Sequence, residues 1–246
     1  VGASCDIVLT MLPNSPHVAT VVTGGGGLLE SARDGQIIID MSSIAPLVSQ
    51  NLSKELASKG AHMLDAPVSG GQEKAELGTL AFMVGGEQGI FDTCKPILDI
   101  MGGSVTRVGD IGAGQTTKLV NQAIVGVNIA IIAEAMSLGK KAGVDPEAIF
   151  NAIRGGLAAS ACLEDKAPRM FEGRFDPGFR IRLHYKDLNI IMKTSNDYQA
   201  PLPVTSIVHE LFNTAMSKDR GELDHSGLLT VIEDLACIEA RTKEAE

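Results

Sequence analysis

The apolar residues keep one rhythm up to about residue 110 and a different one after it, and that change limits what the chain can fold into. Before it, short β-rich runs recur at 5–12 (CDIVLTML), 35–43 (GQIIIDMSS), 61–69 (AHMLDAPVS), 79–86 (TLAFMVGG) and 104–110 (SVTRVGD). A continuous run such as Ile37-Ile38-Ile39 suits a strand buried on both faces. Amphipathic segments lie between several of these runs. In 46–60, Pro46 suits a first helical turn, Val48, Leu52 and Leu56 follow at four-residue spacing, and Gly60 ends the helix. Strands alternating with helices predict an open α/β sheet.

From about 113 the strand runs stop. Residues 113–142 read as one long helix. Further on, Val204, Ile207, Val208, Leu211 and Phe212 fall on one helical face, as do Leu228, Val231, Ile232, Leu235 and Ile238. Gly143, Gly155-Gly156 and the stretch after Pro201 punctuate the helices. The prediction is an α/β domain over 1–111, an all-helical domain over 112–246, and a long helix joining them. A chain of 246 residues is comfortable for two domains.

Charge narrows the partners. Lys and Arg number 21 against 30 Asp and Glu, a net charge of −9. Nucleic acid is not expected, because such binding rests on neutralising phosphates with basic side chains. Cys5, Cys94, Cys162 and Cys237 are far apart and form no CxxC pair. They read as reduced thiols of a cytoplasmic protein, with no zinc or redox site. The five histidines show no metal-binding spacing, so no metal is proposed. The run 123–136 (AIVGVNIAIIAEAM) is broken by Asn128 and Glu134 and falls short of the roughly 20 residues that span a bilayer. No membrane is expected, and the run reads as a helix buried on nearly all sides.

The stretch 109–122 (GDIGAGQTTKLVNQ) sits on the boundary. It is not a Walker loop, since Gln115 rather than Lys follows the last glycine, and GxGxxG is absent. On a helix, Lys118, Asn121 and Gln122 lie at i, i+3 and i+4 and share one face. A cation with two amides can hold a small oxygen-rich anion at an interdomain cleft; a solvated helix face accounts for the same spacing. Ser69, Gly70 and Gly71 follow a strand, where backbone N–H groups beside glycines can form an anion nest or simply a tight turn. The loops at 10–15 and 40–46 also end strands, where open α/β sheets bind ligands. Lys186 and Asp187 read as a surface ion pair on spacing alone, and the tetraglycine 24–27 as a flexible turn.

The order TMLP, DMSSIAP, DAPVSGG, TLAFMVGG, GAGQTTKLVNQ, FRIRLHYKDL, DHSGLL resembles the β-hydroxyacid dehydrogenases over nearly the whole chain. GGLAASACLEDKAP and PGFRIRLHYKDL most resemble the branch that reduces tartronate semialdehyde. The resemblance implies a Rossmann domain followed by the helical domain, NAD or NADP as cofactor, a small 3-oxo or 3-hydroxy carboxylic acid as substrate, and a homo-oligomer. It implies that Lys118 is the catalytic general acid and that Ser69, Gly70, Gly71, Asn121 and Gln122 bind substrate, leaving open which amide makes the contact. Met11, Leu12, Pro13, Ser43 and Lys186 match cofactor-contacting positions. Many members carry Asn where this chain has Gln122.

Family members open with a βαβ unit carrying GxGxxG, which this sequence does not show. Together with a start directly on an apolar strand, without signal peptide or initiator Met, this reads as a Rossmann domain truncated at its N-terminus, with impaired dinucleotide binding expected. The alternatives are 3-hydroxyisobutyrate dehydrogenase or another semialdehyde enzyme of the family. An inactive fragment, or a binding or oligomerisation module, is the alternative of another class.

Overall fold

The computed structural model describes residues 1–242. They separate into two compact units that divide between Asn121 and Gln122.

The first unit is a six-stranded sheet with helices. Its elements are β1 (Ile7–Thr10), α1 (Ser15–Thr23), β2 (Ile37–Asp40), α2 (Pro46–Ala57), β3 (His62–Asp65), β4 (Val68–Ser69), α3 (Gly71–Glu76), β5 (Leu80–Gly85), α4 (Gln88–Met101) and β6 (Gly102–Gly109). The strand order is β1-β2-β3-β5-β4, with β6 beside β5. β1, β2 and β3 are parallel, β5 runs antiparallel to β3 and β4, and β6 runs parallel to β5. The Ile37-Ile38-Ile39 run explains why both faces are covered. Ile38 packs with Val8, Met63, Val18, Val22, Leu52 and Leu56, from α1 and α2. Ile37 and Ile39 pack on the opposite face with Leu64, Phe82 and Val84, and with Phe91 and Leu98 of α4.

A helix of 29 residues, α5 (Ala113–Lys141), begins in the first unit and ends in the second. The sheet-to-helix change at residue 112 precedes the boundary between the units, because the first turns of α5 are bonded to the sheet. The second unit continues with α6 (Pro146–Ile153), α7 (Ala161–Phe171), α8 (Ile181–Asp197), α9 (Pro203–Ser217), a 3-10 turn (His225–Leu228) and α10 (Leu229–Ala236). Side-chain caps start several of these elements. Asp145 accepts from Ala148 N at 3.2 Å, Ser160 from Leu163 N at 2.9 Å and Asp224 from Ser226 N at 3.0 Å. Leu188 and Ile191 of α8, with Val208 and Phe212 of α9, are buried.

Three details differ from the periodicity reading. α5 is not buried nearly all round: Val120, Ile124, Ile131 and Leu138 are exposed, while Ile129, Ile132, Ala133 and Met136 are buried. Whole, α5 is long and apolar enough, by length and composition, to cross a bilayer; the shorter run understated its length. Its buried side packs within the protein, and Lys118 and Gln122 are among its buried residues. The stripes on α9 and α10 also split. Val208, Phe212, Val231 and Ile232 are buried, but Val204, Ile207 and Leu235 face out.

Candidate active site

The site grows from the carboxyl ends of three parallel strands. Thr10, Asp40 and Asp65 end β1, β2 and β3 and lie side by side in register. Each is followed by a loop that the sequence marked. Met11, Leu12 and Pro13 follow β1 and Ser43 follows β2, while beyond β3 Ser69 ends the short strand β4, Gly70 caps α3 and Gly71 opens it. Two buried carboxylates fix these loops. Asp40 accepts from Thr10 Oγ1 at 2.8 Å and from Ser42 Oγ at 2.6 Å. Ser42 Oγ in turn accepts from the Leu12 N–H at 2.8 Å, tying the first loop to the second. Asp65 accepts from the Gly112 and Gln115 N–H groups, at 2.7 Å each, and so anchors the start of α5 to the sheet. Gln115, fully buried, donates from Nε2 to Ser42 O at 2.7 Å and accepts from Ile44 N at 3.0 Å. This glutamine, whose position ruled out a Walker loop, fastens the loop after β2.

Burial lifts the Asp65 carboxyl to about 6, against the two backbone N–H groups that favour its charged form. Burial also raises Asp40, opposed by its bonds to Ser42 and Thr10. The glycines of the third loop take the left-handed half of backbone space: φ is 139° at Gly70 and 68° at Gly71. Added atoms at Gly70 would meet the Lys74 side chain at 2.7 Å, whereas nothing lies within 4 Å of a Cβ at Gly71.

On α5, Lys118 is buried, Asn121 half-buried and Gln122 buried. A lysine and a glutamine nearly sealed from solvent on an open helical turn are unlike a solvated face. In the second unit, Gln122 is gripped twice by α8. Its Nε2 donates to Asp187 Oδ2 at 2.7 Å, and its main-chain oxygen accepts from His184 Nε2 at 3.1 Å. Asp187 also pairs with Lys186, its Oδ1 lying 2.9 Å from Nζ. The surface pair expected from spacing is thus corrected: Asp187 is 2% exposed, because it faces Gln122.

The sequence also missed a histidine pair. His184 Nδ1 lies 3.1 Å from His225 Nδ1. A carbonyl only accepts, so His184 Nε2 carries a proton. Burial, then the neighbouring His184, holds His225 well below its ordinary 6.5, with Asp224 opposing. The two histidines are 41 residues apart, beyond any spacing motif. Asp40 and Asp65 left a fainter signal: each ends an apolar strand run with a charge.

A family model described as the NAD binding domain of 6-phosphogluconate dehydrogenase matches residues 1–109. A second, described as NAD-binding of NADP-dependent 3-hydroxyisobutyrate dehydrogenase, matches residues 112–232. With the doubly covered sheet and its strand-end loops, these define the class: an NAD(P)-dependent oxidoreductase. The 2-hydroxy-3-oxopropionate reductase of Escherichia coli (strain K12) is 40% identical over 96% of this chain and 81% of its own length. The 2-(hydroxymethyl)glutarate dehydrogenase of Eubacterium barkeri is 37% identical over 96% and 78%. The solved 3-hydroxyisobutyrate dehydrogenase of Mycobacterium tuberculosis with L-serine superposes with a TM-score of 0.83 at 31% identity, covering 94% of this chain and 80% of that one. The chain belongs to the β-hydroxyacid dehydrogenases, the 3-hydroxyisobutyrate dehydrogenase-like family, whose members act on small hydroxyacids.

Proposed function

We propose that the chain catalyses the NAD(P)H-dependent reduction of tartronate semialdehyde to D-glycerate. The observation that carries this reading is the 40% identity to the Escherichia coli 2-hydroxy-3-oxopropionate reductase across 96% of the chain. The loops after β1 and β2 suit the cofactor. They lie at strand carboxyl ends and are pre-tied by Asp40, Ser42 and Gln115, so their backbone is fixed before any ligand arrives. Met11, Leu12, Pro13 and Ser43 would line that site, with Lys186 contributing from α8. When bound, the reduced nicotinamide supplies the hydride that reaches the aldehyde carbon.

The remaining chemistry falls to the chain. As the carbon gains hydride, negative charge grows on the carbonyl oxygen. Lys118 Nζ hydrogen-bonds that oxygen and donates a proton to it, giving the primary alcohol; in reverse it takes the proton back. Its burial strengthens this interaction, since little water competes for the ammonium. Asn121 or Gln122 holds the substrate oxygens, and the backbone of Ser69, Gly70 and Gly71 takes the carboxylate, aided by the positive φ of both glycines.

Lys118→Ala should retain NAD(P)H binding and lose about 10²–10⁴-fold in turnover. Turnover near the wild-type rate in that variant overturns the assignment. A second reading, 3-hydroxyisobutyrate dehydrogenase, is favoured by the superposition on the Mycobacterium tuberculosis enzyme. Comparing kcat/KM for tartronate, methylmalonate and succinic semialdehydes separates the two. We further propose a homo-oligomer, with the exposed stripe Ile124, Ile131 and Leu138 of α5 covered by a second copy of the chain.

A further inference from the structure

Gln115 lies in the first turn of α5, and its side chain reaches from the helix to the loop after β2. Its Nε2 donates to Ser42 O at 2.7 Å, and its Oε1 accepts from the Ile44 N–H at 3.0 Å. A carbonyl only accepts and a main-chain N–H only donates, so the two partners fix which end of the amide is which. The bonded groups lie on either side of Ser43. A carboxamide paired with the main chain before and after one residue holds the backbone of that residue. Gln115, Ser42 and Ile44 are buried, and Ser43 is half-buried between them. Removing the amide therefore strands a buried C=O and a buried N–H, and the loop must move to satisfy them.

The main chain of the same residue is held separately. Gln115 N donates to Asp65 Oδ2 at 2.7 Å, and Gly112 N donates to Asp65 Oδ1 at 2.7 Å. At Gly114 the helix backbone approaches the sheet so closely that a Cβ would come within 2.4 Å of Asp65 O and Met83 O. These contacts belong to the backbone of α5 and survive a change of the Gln115 side chain. Lys118 follows three residues on, on the adjoining turn, and is also buried. Gln115 is thus fixed through its main chain to the helix that carries Lys118, and through its side chain to the loop that carries Ser43. Losing the side chain frees the loop and leaves the helix seated.

We propose that Gln115 is a positioning residue, which sets the backbone at Ser43 for the cofactor and holds that loop in register with the turn of α5 that carries Lys118. This rests on the assignment of Ser43 to the cofactor and of Lys118 to proton transfer. The kinetic signature is a split between KM and kcat. Only molecules with the loop in its binding conformation take up cofactor, so apparent affinity falls in proportion to their fraction. Bound cofactor restores the loop against a helix that has stayed in place, so the loss falls mainly on KM.

The test is Gln115→Met, which keeps the length of the side chain and removes both bonds. Fluorescence titration with NADH and NADPH gives cofactor affinity, and turnover of tartronate semialdehyde gives KM and kcat, both well below the unfolding temperature. Kd and KM for the cofactor should rise about 10-fold, as for a loop competent in roughly one molecule in ten, while kcat falls much less. Lys118→Ala should show the opposite split. Gln115→Glu supplies the conservative rescue. Ionised, it accepts from the Ile44 N–H but cannot donate to Ser42 O; protonated, its O–H restores the donor. Asp65 and Asp40 are the ionisable groups bonded into this network, and they titrate in the wild type too. The readout is therefore the ratio of the variant's KM to that of the wild type, large in alkaline buffer and falling towards one in mild acid. This variant decides the matter where circular dichroism shows Gln115→Met misfolded. Folded variants that bind cofactor like the wild type at every pH overturn the positioning role alone. A Gln115→Met that loses turnover with KM unchanged does the same. A wild type that binds neither NADH nor NADPH overturns the functional reading, and the positioning role with it.

Discussion

Asp65 holds the backbone N–H of Gln115 at 2.7 Å, joining the end of a buried strand to the first turn of the long helix 50 residues later. Its other oxygen holds the Gly112 N–H. Only a carboxylate can accept in both directions. In Asp65→Asn the amide NH2 meets one of these donors, and a buried N–H loses its partner. The expected cost is about 1–3 kcal/mol, measured by urea unfolding at pH 7. The cost should grow in acid. The folded carboxyl titrates near 6 rather than 3.8, so its contribution is fullest below 3.8 and is lost as pH rises through 6. The variant lacks this titration, and the gap between the two proteins should be wider at pH 4 than at pH 7. A gap that narrows in acid contradicts the burial account.

Gly114 shows how tightly the helix is seated. A Cβ there would lie 2.4 Å from the backbone oxygens of both Asp65 and Met83. Backbone atoms of two strands cannot yield as a side chain can. Gly114→Ala should therefore destabilise by about 1–3 kcal/mol or more, the range of overpacked cores, although alanine favours helix. Gly25→Ala is the control: nothing lies within 4 Å of the added atom, and the stability should barely change.

Much of this architecture was legible from residue order. Ile37-Ile38-Ile39 announced a strand covered on both faces, and the change of period near residue 112 announced the helical half. The loops carrying Leu12 and Ser43 were legible because they end strand runs. What escaped was what long-range pairing decides. Nothing local distinguishes Gln115 as a side chain that fastens a loop more than 70 residues earlier. Asp187 looked like a surface charge because its partner Gln122 lies 65 residues away. The stripe on α9 looked uniform because periodicity marks a face without saying how much of it a neighbour covers.

His225, buried beside His184, should resist protonation. Imidazole nitrogen spectra should show His184 protonated at Nε2, with His225 staying neutral below pH 6.5. Its folded pKa is depressed, so stability from this site is full above 6.5 and is lost as pH falls below it, by up to about 1.4 kcal/mol per unit. Gly126 gives an independent handle, since a Cβ there would sit 3.2 Å from His184 Nε2. Gly126→Ala should loosen the bond to the Gln122 carbonyl and shift the His184 resonances. Unchanged spectra would mean that His184 does not lean on this turn of α5.

The exposed stripe of α5 makes the last prediction. Ile124, Ile131 and Leu138 recur at seven-residue spacing, more than half exposed each, on a helix whose opposite side is fully packed. Seven-residue spacing keeps side chains on one face, and a large exposed apolar face marks an association surface. A second copy would cover it. Ile131→Glu places a charge in the centre of the stripe without touching the buried side, so the folded chain should survive while the assembly weakens. Light scattering after size exclusion should report a mass above one chain for the wild type, falling towards 25.8 kDa in the variant. A wild type that runs at the mass of one chain at micromolar concentration would leave the stripe uncovered and sink the proposed oligomer.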